Sequence, residues 1–84
     1  MKDSAGIILE TGQYVYIKHN SDVARALHIL YIGIINSVLE SGPYPKVMIK
    51  VYRKDHSLTP PLSFYPENLR VLKKEEAVME LLKL

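Results

Sequence analysis

Cysteine and tryptophan are both missing from this 84-residue chain, and glycine occurs only four times. Without cysteine no disulfide framework can stabilise the fold, and Cys-based zinc or iron sites are excluded. The glycines Gly6, Gly12, Gly33 and Gly42 match neither the GxGxxG signature nor the phosphate-loop pattern. Long apolar runs are lacking too. Ile7-Ile8-Leu9 is far short of a signal-peptide core. The most membrane-like stretch, Val23 to Leu39, carries Arg25, His28 and Asn36 and falls short of the roughly 20 apolar residues a span needs. No membrane association is expected. The absence of cysteine fits a reducing setting, so an intracellular, cytoplasmic protein (or a nuclear one in a eukaryote) is expected.

What is present argues for one domain over residues 1–84. The chain is too short for two cores, and its 48% hydrophobic content supplies the packing that disulfides do not. The β-branched and aromatic content is too high for disorder. Net charge is only +2, and it is local: residues 41–70 carry +3, through Lys46, Lys50, Arg53, Lys54 and Arg70. That is a mild patch rather than a basic tail.

Alternation locates the strands. In Tyr14-Val15-Tyr16-Ile17-Lys18, Val15 and Ile17 share one face, and the tyrosines and Lys18 share the other. Lys46–Lys54 reads the same way, with Val47, Ile49 and Val51 inward and Lys46, Met48, Lys50, Tyr52 and Lys54 outward. Leu62–Tyr65 is a short strand that must stop near Pro66. Pro66-Glu67-Asn68-Leu69 reads as one helical turn, and Arg70-Val71-Leu72 as a last strand. Residues 73–84 have helical character, with Ala77, Val78, Leu81, Leu82 and Leu84 as an apolar stripe and Met79 near its edge.

Residues 23–40 admit two readings. Ile29, Tyr31, Ile32, Ile34, Ile35 and Val38 favour a strand over about 29–40, after a short helical turn or ordered loop near Val23. The alternative is an α+β fold with one helix over about 22–40, capped by the polar residues before it and ended by Gly42-Pro43. Gly33 would then sit mid-helix at a cost of about 1 kcal/mol.

This order of elements, with Pro66-Glu67-Asn68-Leu69 turning into a terminal strand, resembles an SH3-like small barrel of the Tudor, KOW and chromo-barrel layout. The resemblance covers about residues 12–72 and implies a mainly β, five-stranded, partly open barrel, with the C-terminal helix over one open end or a remaining edge. It also suggests an aromatic cage for a methylated side chain, drawn from Tyr14 or Tyr16 with Tyr31, Phe64 and Tyr65. The same rings equally suit the half-exposed faces of a small sheet.

Three classes of function compete. Catalysis has little support: His19, His28 and His56 are far apart, no HExxH occurs, and no metal or cofactor is expected. Asp55-His56-Ser57 holds the residue types of a triad, but triads are assembled in space from separated positions. Nucleic-acid binding would use the stripe Lys46, Lys50, Tyr52, Arg53 and Lys54, where cations meet phosphates and a ring stacks on a base. A solvated sheet face would look the same. Binding of another protein is the leading expectation. Its elements are the Pro43-Tyr44-Pro45 turn, the Pro60-Pro61-Leu62 loop and the terminal helix, with Tyr44, Leu62, Tyr65 and Leu81 as contact residues. The helix would serve equally in a homodimer. A small accessory or adaptor domain that binds protein and is not an enzyme is the resulting expectation.

Overall fold

Val15 and Ile17 are wholly buried while Tyr14 and Tyr16 are half-buried, the two-faced pattern their alternation demands. In the computed structural model, which describes residues 1–18, 29–40 and 42–82, this segment is strand β1 (Tyr14–Ile17). It is followed by β2 (Ile29–Leu39), β3 (Lys46–Arg53), β4 (Leu62–Phe64), a 3-10 turn (Pro66–Asn68), β5 (Leu69–Leu72) and helix α1 (Lys74–Leu82). Among the described residues the five strands form one open antiparallel sheet in the order β4-β3-β2-β1-β5. The mainly β class with a C-terminal helix therefore holds.

The 22–40 helix is not formed over residues 29–39, which are a single strand. Its remaining part, the turn expected near Val23, His19 and His28 lie outside the described residues. Imperfect alternation in this segment has a structural cause. Ile35 pairs with Ile49 but Ser37 pairs with Met48, so Asn36 is an extra residue in a bulge. That insertion returns both Ile35 and Val38 to the inner face.

Gly33 is a point of close approach. A Cβ built there would lie 2.5 Å from Ile49 Cγ2 and 2.8 Å from the Lys50 carbonyl oxygen. Only a residue without a side chain lets β2 lie this tightly on β3. Gly42, at φ +94°, supplies the left-handed backbone of the turn between these two strands.

The inner face gathers Leu9, Val15, Ile17, Ile35, Val47, Ile49, Val51 and Leu69. Each buried Val, Leu or Ile contributes roughly 1.5–3 kcal/mol. A second cluster lies on the outer face, where Ile32, Leu72 and Ala77 pack with Tyr14, Tyr16, Tyr52 and Leu81. Helix α1 thus lies on the outer face, against β1 and β2, and not over a barrel end or a sheet edge. The reason is in the strands: Tyr14, Ile32, Tyr52 and Leu72 leave that face too apolar to stay wet. Nine residues are marginal as a free helix, so Ala77 and Leu81 must dock for α1 to persist. Glu76 Oε1 accepts from the Lys73 amide at 3.4 Å and closes the helix start.

Residues 1–9 are organised by Asp3. Its Oδ1 accepts from the amides of Ala5 and Ile7 at 2.9 and 2.8 Å, and its Oδ2 from the amide of Val71 at 2.7 Å. The Ser4 amide donates to the Leu69 carbonyl, and Leu9 enters the inner core. Burial pushes the Asp3 carboxyl pKa up, but hydrogen bonds from Val71, Ile7, Ala5 and Gly6 outweigh it and hold it below the ordinary carboxylate value.

Candidate interaction surfaces

The connection between β2 and β3 is a proline-stiffened turn that leaves the Tyr44 ring 69% exposed. Just beyond it Leu39 and Lys46 are register partners. The β3–β4 ladder ends at the Val47–Phe64 pair, with Lys46 and Tyr65 the next residue on either chain. Lys46, Ser63, Phe64 and Tyr65 line a shallow cavity of ≈ 90 Å³. Leu39 (47% exposed) pairs with Lys46, Lys46 shares the cavity with Tyr65 (48%), and Tyr44 lies in the adjoining turn.

Of the four residues expected to contact protein, Tyr44 and Tyr65 stand at this surface. Leu62 and Leu81 are partly buried and lie elsewhere. Leu62 packs against the inner core, and Leu81 against the cluster beneath α1. The exposed apolar side chains of the helix are Val78, Met79 and Leu82.

The basic stripe along β3 is divided. Lys46 and Lys50 are exposed on the outer face, and Lys54 is exposed in the turn that follows. Tyr52 does not stand between them as a free ring. It packs in the cluster under α1, where burial, and then its contact and hydrogen bond with Tyr14, push its phenol pKa up. Arg53 turns back on its own loop, donating to the Leu58 carbonyl at 2.9 Å.

Sheet order also decides the aromatic cage. Phe64 lies on β4 and packs on the inner core, whereas Tyr16 and Tyr31 belong to β1 and β2 on the other side of β3. The four rings do not converge. Tyr16 and Tyr31 do meet, with centroids 6.1 Å apart and planes inclined by 35°. The face of Tyr16 is already taken by Arg70, whose Cζ lies 5.8 Å from the ring centroid. This Arg70–Tyr16–Tyr31 stack joins β5, β1 and β2, and sequence reasoning missed it. The Arg70–Tyr16 register pair was the needed signal, and it becomes visible only once β5 is set beside β1.

Asp55, His56 and Ser57 form an exposed reversal. The Ser57 amide and hydroxyl both donate to Asp55 Oδ1, at 2.9 and 2.6 Å, and His56 adopts φ +69°. Those Ser57 bonds, hydroxyl first, hold the Asp55 carboxyl below its ordinary pKa. The bond runs directly from serine to aspartate, the arrangement of an Asx turn. Among the described residues no three His, Asp or Glu side chains gather as metal ligands, and no helix is long and apolar enough to cross a membrane.

Comparison with protein-family models, with curated proteins and with solved structures finds no match to this chain.

Proposed function

We propose that this chain is a small non-catalytic accessory domain of SH3-like layout that docks a partner protein on the surface formed by Leu39, Tyr44, Lys46 and Tyr65. The observation that carries the reading is the exposure of three large side chains, Leu39, Tyr44 and Tyr65, at the end of the sheet that carries Lys46. Anchors of this kind lose little entropy on binding, and tyrosine is enriched among the residues that dominate interface energies. Lys46 supplies a cation to the surface, while the neighbouring Glu40 is paired with the N-terminal amine, so an apolar partner segment bearing a carboxylate is complementary. The SH3-like reading draws support from the meander β1 to β4, the return of β5 beside β1, and the 3-10 turn that separates β4 from β5. A cytoplasmic setting accords with the absence of cysteine. The nucleic-acid reading of the β3 stripe draws less support, since Tyr52 and Arg53 are engaged within the fold.

The test immobilises the wild-type chain beside Tyr44→Ser, Lys46→Glu and the distant control Met79→Ser, and identifies what each retains from the source cell. The expected result is a partner held by wild type and control and lost by both surface variants. Retention of the same proteins by all four chains would overturn the proposal.

A further inference from the structure

The Arg70–Tyr16–Tyr31 stack lies apart from the docking surface and serves neither the core nor the helix contact alone. Regular alternation would turn Tyr31 away from Ile32, which packs under α1. Between the Ile29–Arg53 and Gly33–Val51 pairs, however, β2 has three residues where β3 has one. This irregularity lets the Tyr31 ring come beside Tyr16 while remaining 41% exposed. Bulges that re-aim a side chain are over-represented beside functional sites. Arg70 is exposed on the other side of Tyr16, held there as a cation over a ring. Lys18, partly exposed, lies just past the end of β1, two residues after Tyr16. Among the described residues no carboxylate lies within ion-pair distance of Arg70 or Lys18.

We infer that this stack is a platform for single-stranded nucleic acid. An unpaired base would stack on the exposed face of Tyr31, and the adjoining phosphates would take charge-assisted hydrogen bonds from Arg70 and Lys18. Binding a base and its phosphate calls for a π surface and a cation about one nucleotide apart, which a row of ring, ring and guanidinium provides. Arg70 is already ordered by its stacking on Tyr16, so less freedom is lost when a phosphate arrives. A duplex is the poorer ligand because its base faces are hidden.

The test is fluorescence anisotropy of a labelled oligopyrimidine of about 12 nucleotides, within the site sizes such platforms cover. Tyr31→Ser is expected to weaken binding by about 5- to 150-fold, the range for losing one base–aromatic stack. Tyr31→Phe should bind as wild type does. Arg70→Lys, which keeps the charge and loses the planar stack, should also weaken binding. Two phosphate contacts predict a roughly sevenfold loss of affinity between about 50 and 200 mM salt. Tyr44→Ser should leave oligonucleotide binding intact, so failure here and failure of the docking surface are separable. No binding at the lower salt would overturn the inference. So would equal binding by Tyr31→Ser, or equally tight binding of a duplex of the same length.

Discussion

The carboxylate of Asp3 accepts a hydrogen bond from the backbone amide of Val71, 2.7 Å from its Oδ2 and 68 residues along the chain. With Ala5 and Ile7 on Oδ1, one side chain holds the start of the chain against the last strand. Asp3→Asn leaves an amide nitrogen facing backbone donors. Charge-assisted hydrogen bonds contribute about 1.5–3 kcal/mol each, and the substitution is expected to destabilise by about 2–4 kcal/mol in urea denaturation.

The same site fixes an acid dependence. Because the folded pKa of Asp3 lies below its unfolded value, its stabilisation is fully present above the unfolded value, near 3.8, and is lost as pH falls through the folded one. Urea midpoints measured through this window should fall more steeply for wild type than for Asp3→Asn. Parallel curves would refute the assignment.

Gly33→Ala is expected to cost about 2–3 kcal/mol, because the new methyl group meets Ile49 Cγ2 and the Lys50 carbonyl, and the carbonyl cannot move without breaking the β2–β3 ladder. Thermal unfolding by circular dichroism would measure it. A variant as stable as wild type would mean that the two strands lie further apart.

Thr59 is buried, and its Oγ1 accepts from the Val51 amide at 3.0 Å. Thr59→Val preserves the shape and removes the acceptor, with an expected loss of about 1–3 kcal/mol for a buried donor left unpaired. Thr59→Ser keeps the oxygen and should lose less. The order serine above valine in denaturant midpoint is the decisive reading.

Tyr52 should ionise above the ordinary tyrosine value, since burial and Tyr14 both disfavour its phenolate. With the folded pKa raised above the unfolded 10.0, the linked stability is present below that value and is lost as pH rises through the folded one. Ultraviolet titration should show one late-ionising tyrosine that disappears in Tyr52→Phe. An unchanged titration would place Tyr52 in solvent.

Much of the sheet was readable in the residues. Val15 and Ile17, then Val47, Ile49 and Val51, alternate cleanly because each strand has one fully buried face, and Pro66 marks the end of β4. The long strand β2 was ambiguous for a physical reason: Asn36 is looped out and the 29–33 stretch is irregular, so the period of two is broken twice. The role of Asp3 left no local trace, because its Oδ2 partner is a backbone amide at the far end of the chain. The candidate sites were only partly legible. Tyr44 stands out by its flanking prolines, whereas Tyr52 was misplaced because both faces of this sheet are covered near α1, and alternation cannot tell a helix-covered face from a wet one. Arg70 and Tyr31 needed strand pairing to be seen together.

The ends of the sheet carry one last consequence. β4, the outer strand on one side, is three residues long and is bracketed by Pro60, Pro61 and Pro66, which have no amide to offer. On the other side, Asp3 and Ser4 already occupy the amide of Val71 and the carbonyl of Leu69 on β5. Neither rim presents a long ladder on which a foreign strand could grow, so this small β domain resists the open-ended stacking that leads to fibrils.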